Sequence, residues 1–172
     1  MACSITINGR AFPCKDKIGG IKKVWIQQLS DVSWNAVSSG EISDASAAVT
    51  FRSFELTKNS GSFQQTVTAS VENGTVFFSQ VLELTLPNLT AGDNAELYDL
   101  MKSRLSIIVQ DNNDNYLIMG HTTGAESTGG TVGTGTAKGD LNGYQLQFTA
   151  EEAIPAPFLA SGFTNVTLTA GS

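Results

Sequence analysis

The sequence predicts a mainly β domain with one helix and one long β-hairpin. Three observations carry that prediction. Charge is sparse, at 15% of residues, while Thr, Ser, Val and Gly are abundant, a composition that favours strands over helices. Apolar and polar residues alternate with period two through residues 66–71 and again through 144–149, as half-buried strands require. Only one stretch, opening at Thr90, has apolar residues at helical spacing. A chain of 172 residues that is 41% hydrophobic is long enough to bury a core as a single domain over residues 1–172.

Residues 22–29, K-K-V-W-I-Q-Q-L, lie between Gly19-Gly20 and Ser30-Asp31 and read as the first strand. Residues 31–48 have no clean period and read as a strand fragment with a loop. Residues 49–57 form a strand candidate, Lys58-Asn59-Ser60-Gly61 a turn, and residues 62–71 a second strand in which Thr66, Thr68 and Ser70 alternate with Val67, Ala69 and Val71. Glu72-Asn73-Gly74-Thr75 follows, and Asn-Gly between β-rich runs suits a type I′ hairpin turn. The return strand, 76–86, sets Val76, Phe78, Gln80, Leu82, Leu84 and Leu86 on one face and Phe77, Ser79, Val81, Glu83 and Thr85 on the other. Two readings of that mixed second face stand: a partner covers it, or the strand bends and serves two sheets of its own domain.

Pro87 ends the strand. Thr90 can cap a helix with Asp93 three residues on, and Leu97, Leu100, Met101 and Leu105 follow helical spacing over about four turns. Lys102 and Arg104 suit its negative end. Residues 106–109 and 116–120 read as strands across an Asp/Asn-rich turn, residues 121–138 as a Gly/Thr loop, and 144–149 as a strand that buries Tyr144, Leu146 and Phe148. The tail from Ile154 holds Pro155, Pro157, Phe158, Leu159 and Phe163, then a last strand at 166–169.

The net charge of −6 and a pI near 4.6 argue against tight nucleic-acid binding and suit a surface that nucleic acid passes without sticking. The first ten residues lack a basic stretch followed by an apolar run, so no signal peptide is expected. No window reaches the roughly 18 apolar residues of a membrane helix. Synthesis in a cytoplasm follows, and there Cys3 and Cys14 read as thiols more readily than as a disulfide. With the single His121 they are too few for a zinc site.

The Gly-rich run does not fit a phosphate loop, because Lys138 is followed by Gly139-Asp140 and a strand. It does not fit a dinucleotide fingerprint either: Gly133 and Gly135 are followed by Lys138 where the third Gly belongs. Asp111-Asn112-Asn113-Asp114-Asn115 starts like a calcium loop but continues with Tyr116 for Gly and reaches Thr122 for Glu, so a hairpin turn explains it better. His121 reads as a surface or loop histidine. Glu151 and Glu152, adjacent at a strand end, point to opposite faces and make no acid/base pair. The sequons at Asn73, Asn88 and Asn165 read as chance matches. No catalytic set, cofactor site or metal site is expected.

Gly61-Ser62-Phe63-Gln64-Gln65-Thr66, Glu72-Asn73-Gly74-Thr75, residues 105–116 and the Gly-rich run into Gly143-Tyr144-Gln145-Leu146 together resemble small virion structural proteins of tailed bacteriophages, of the tail-tube kind. The resemblance spans about residues 19–158. It implies a β-sandwich or barrel with a packed helix and a long hairpin, self-assembling into a homo-oligomeric ring with a hexamer as first guess. Inward hairpins would join into one sheet around a channel that conducts genomic DNA without sequence-specific binding. Glu72, Asn73, Gly74 and Thr75 would be the assembly hairpin. Gly129, Gly130, Gly133 and Gly135 would belong to an assembly arm within a Gly/Thr-rich segment at 122–140, and residues 154–172 would form a C-terminal arm. Other tail proteins would be partners, with no membrane involved, and the protein would be assembled in the host cytoplasm and reside in the virion tail. The resemblance does not separate a stacked tube from a single adaptor or terminator ring. A virion decoration or glycan-binding module, with Trp25, Trp34 and Tyr116 as its aromatics, is the alternative.

Overall fold

The β-prone runs pair into two sheets, seen in a computed structural model that describes residues 9–11 and 14–170. In chain order the elements are β1 (Ile21–Gln28), a 3-10 turn (Leu29–Asp31), β2 (Glu41–Ile42), β3 (Val49–Glu55), β4 (Gly61–Ser70), β5 (Thr75–Pro87), α1 (Ala91–Lys102), β6 (Leu105–Asp111), β7 (Tyr116–Met119), β8 (Glu126–Gly133), β9 (Gly143–Glu152), β10 (Phe158–Leu159) and β11 (Val166–Thr169). The larger sheet has seven strands in the order β11-β3-β1-β6-β7-β10-β2, and the smaller has four in the order β4-β5-β9-β8. The mainly β class with a single helix and two sheets is what the composition and periods indicate.

The larger sheet is covered on both faces. Val24, Ile26, Ile107 and Val109 meet Leu82, Leu84, Leu146 and Phe148 of the smaller sheet, with Leu97 of the helix closing that core. On the opposite face Trp25, Phe51, Ile108 and Ile118 cluster with Val32 and Ala45 of the 31–48 segment and with Ile42, Leu159 and Val166 of the sheet's own β2, β10 and β11. This is why β1 buries three successive residues and β6 buries six: a strand covered on both faces needs an apolar run instead of alternation.

Residues 31–48, patternless in sequence, are thus the cover of the second core, tied down by the bridge Trp34↔Ala45. Asp44 fastens this cover to the C-terminal segment. Its carboxylate accepts hydrogen bonds from Thr164 N at 2.7 Å, Thr164 Oγ1 at 3.0 Å, Asn165 N at 3.0 Å and Ala45 N at 2.8 Å.

Several sequence expectations are corrected. The hairpin between β4 and β5 pairs Ser70 with Thr75, so its loop holds residues 71–74 instead of a two-residue type I′ turn. Gly74 has φ 61° whereas Asn73 is not among the positive-φ residues, and Ser70 Oγ accepts from Asn73 N at 3.3 Å. The helix is capped by Thr90 as expected, with Thr90 Oγ1 accepting from Asp93 N at 3.1 Å. It ends at Lys102, however, because Ser103 is extended at φ −102°, ψ 154°, and Leu105 opens β6. The Gly/Thr loop is corrected most: Gly129, Gly130 and Gly133 lie in β8, paired to β9 from Glu126↔Thr149 to Gly133↔Gly143. Gly135 lies beyond it, at φ 69°. The C-terminal arm also returns to its own body, with β11 parallel to β3 and β10 between β7 and β2. Finally, β5 pairs only with β4 and β9, so it does not serve two sheets. Cys3 lies outside the described residues, and Cys14 is exposed.

Candidate assembly surface

The face of β5 that enters the core continues past the body. Cross-strand pairs Phe63↔Leu82, Gln65↔Gln80, Val67↔Phe78 and Ala69↔Val76 share that face. Leu82 and Gln80 are fully buried, but Val67 is 56% and Val76 54% exposed, and Val71 at the tip is 98% exposed. The reason is register: β9 stops pairing with β5 at Phe78↔Glu152, so residues 68–77 project as a two-stranded ribbon with no third strand beside it. A two-stranded ribbon is marginal in water. Its apolar side is therefore an uncovered continuation of the core face, and Glu72, Asn73 and Gly74 are its tip, with Thr75 starting the return.

The ribbon's root is held by buried polar groups. Gln80 Oε1 accepts from Gly120 N at 3.2 Å, and Glu152 Oε1 accepts from Thr122 N at 3.0 Å and Thr123 N at 2.9 Å. Thr123 Oγ1 donates to Glu151 O at 2.7 Å. His121 Nδ1 lies 3.7 Å from Glu152 Oε2, both side chains largely buried. Strand alternation gives the opposite faces expected of Glu151 and Glu152, exposed and buried respectively. His121 lies in the bend after β7, a loop histidine as expected, but its side chain is turned inward: its packing against Glu152 spans residues far apart in sequence and leaves no local pattern.

The outward face of the smaller sheet is polar, and the charges that fall on it by register are the acids Glu83, Glu126 and Glu151. Gln64, Thr66, Ser79, Val81, Glu83, Thr85, Gln145, Gln147 and Thr149 lie on it by register. Thr128 and Thr149 hydroxyls meet at 2.9 Å, and Thr131 Oγ1 donates to Gln145 Oε1 at 3.2 Å. None of the four strand sequences contains Lys or Arg. Both outer strands of this sheet, β4 and β8, lack a further partner among the described strands, and β4 carries neither the Lys, the Pro nor the bulge that usually blunts an edge.

The Asp/Asn turn binds protein groups. Asp111 Oδ1 accepts from Asn113 N and Asn115 N at 2.8 Å each, and Oδ2 from Asn115 Nδ2 at 2.8 Å and Asn113 Nδ2 at 3.3 Å. Burial would raise this carboxyl, but these donors outweigh it and hold it below the usual aspartate range. An acid so occupied has no free lone pair for calcium, and the described residues contain no group of three His, Cys, Asp or Glu side chains placed to hold a metal. Trp25, Trp34 and Tyr116, the aromatics considered for a glycan platform, pack inward: Trp25 and Tyr116 rings lie 5.9 Å apart, Trp34 and Phe51 5.7 Å, and Trp34 Nε1 donates to Ser106 Oγ at 3.1 Å.

Comparison with protein-family models, curated proteins and solved structures finds no match. Among the described residues no helix is long and apolar enough to cross a membrane.

Proposed function

We propose that the chain is a virion structural protein of the tail-tube-like kind, which self-assembles into rings whose four-stranded sheets line a DNA-conducting channel. The observation that carries this reading is the smaller sheet itself: two bare edges, ten and eight residues long, on a sheet without a Lys or Arg. Head-to-tail pairing of β4 in one copy with β8 in the next removes both edges at once, and such heterologous contacts form a ring when the rotation between copies closes. A lining of Thr, Gln and Ser with Glu83, Glu126 and Glu151 among them hydrates a passing duplex, repels its phosphates and offers no cations to grip them. The ribbon, uncovered on its apolar side, gains its cover from the neighbour.

The test is the mass of the purified protein in solution by light scattering, with electron micrographs of the same sample. Rings or tubes with a central hole are expected. A monodisperse monomer at high concentration would overturn self-assembly and shift the reading to a decoration module.

A further inference from the structure

Asn-Gly occurs three times in the sequence, at 8–9, 73–74 and 142–143. The pair is chemically special, because a glycine without Cβ lets its backbone nitrogen swing onto the preceding side-chain amide more easily than other residues do. Asn8 lies outside the described residues. The other two pairs have opposite surroundings.

Asn73 and Gly74 sit in the loop between Ser70 and Thr75, and residues 71–76 are all exposed. Ser70 Oγ accepts from Asn73 N at 3.3 Å, while the Asn73 side chain and Gly74 N make no hydrogen bond among the described residues. A Cβ built on Gly74 meets nothing within 4 Å, so the nitrogen that has to move stands in open space. The loop hangs on the ribbon, which no third strand braces, and such a tip opens locally at little cost.

Asn142 is exposed too, but Gly143 is buried. Gly143 pairs on one side with Pro87 of β5 and on the other with Gly133 of β8, and a Cβ there would collide with the backbone of Leu86 and Pro87. Asn142 O accepts from Asn88 N at 2.7 Å. To bring Gly143 N onto the Asn142 amide, the peptide between them would have to turn out of the sheet and break its ladder. Both amides are open to water; only at Asn73 is the next nitrogen free.

We propose that Asn73 is a site of self-modification, which turns to aspartate and isoaspartate in the folded chain while Asn142 stays an amide. Gly74 N attacks Asn73 Cγ. The new N–Cγ bond replaces Cγ–Nδ2, and Nδ2 leaves as ammonia, taking the Gly74 amide proton. Water then opens the cyclic imide at either carbonyl. Opening at Cγ gives aspartate; opening at the main-chain carbonyl gives isoaspartate, with the chain rerouted through Cβ and Cγ. Nothing is oxidised or reduced, and water is the one co-reactant. Either product is ionised at neutral pH. Glu72 is the one charged residue in the ribbon, 68–77, so the modification doubles the negative charge at its tip. The chemistry needs no partner and stands apart from the self-assembly reading.

The purified chain, dilute enough to be monomeric, is held in warm, mildly alkaline buffer. Proteolytic peptides are followed by mass spectrometry, with aspartyl and isoaspartyl forms separated by chromatography. The Asn73 peptide is expected to gain the mass of an amide-to-acid change at least about tenfold faster than the Asn142 peptide. In denaturant, where no sheet holds Gly143, the two rates should converge. Gly74→Ala should slow Asn73 at least about tenfold and leave Asn142 unchanged. Equal rates in the folded chain, a difference that persists in denaturant, or an Asn73 rate untouched by Gly74→Ala would overturn the site. The folded and denatured comparison uses the unmodified sequence, so it does not depend on how the variant folds. Ring formation, read on freshly prepared chain, decides only the self-assembly reading.

Discussion

Glu152 ends β9 with its carboxylate buried against backbone N–H groups, and removing it orphans Thr122 N and Thr123 N together. Glu152→Ala should lower stability by about 1.5–2 kcal/mol, since bonds to a charged acceptor are among the stronger ones, while water can reach the donors of the exposed Thr122 and Thr123; urea denaturation measures it. Asp44 tests a different effect. Burial pushes its carboxyl up, yet the donors from Thr164, Asn165 and Ala45 prevail and hold it below the usual aspartate range. A lowered folded value means that the stabilisation is complete above the unfolded value of about 3.9 and is lost as pH falls through the folded value. Melting temperature measured from neutral pH down to about pH 2 should therefore fall less steeply in Asp44→Asn than in the unmodified chain. That Glu151 and Glu152 face opposite ways was legible; that Glu152 is the inward one follows once β9 runs on to 152 and continues the alternation of Tyr144, Leu146, Phe148 and Ala150. The grip of Asp44 on Thr164 was not, because nothing in either neighbourhood indicates a contact across 120 positions.

Strands with side chains to show a period were readable, and β8 was not. Its sequence, E-S-T-G-G-T-V-G, has glycines where the alternation would appear, so the run looks like a loop until β9 lies beside it. At Gly130 the glycine serves the sheet: an added Cβ would stand 3.0 Å from Gln145 O, so that the paired strand would have to shift to admit it. The hairpin's existence was legible from Asn73-Gly74, but its turn type depended on register, which cross-strand pairing sets. The ribbon carries the prediction at this scale. Val67→Asp with Val76→Asp alters positions already more than half exposed, so folding stability should change by less than about 1 kcal/mol. Under the proposed self-assembly, rings should be abolished, because the charges fall on the apolar side that a neighbour would cover. Circular dichroism melting and light scattering on the same sample separate the two effects; rings that persist would remove the ribbon from the interface.

Sheet order lies beyond local pattern, because it joins chain ends: β11 runs parallel to β3 in Val166↔Val49 pairing, and β10 inserts between β7 and β2. What the whole molecule adds is a sheet with a fixed strand number, and that number sets the size of any ring. Strands about 4.8 Å apart and tilted by about 40° give a closed barrel whose diameter grows in proportion to strand count. With four strands per copy, six copies make a barrel of about 50 Å between facing backbones, and side chains from both walls narrow this to a channel that admits a duplex. Three copies would halve that diameter, leaving no such passage, and twelve would double it. Electron micrographs of assembled rings therefore measure copy number and channel width together. The two must agree through the four-stranded sheet: a hole much wider or narrower than the counted copies allow would mean that the sheets do not join edge to edge.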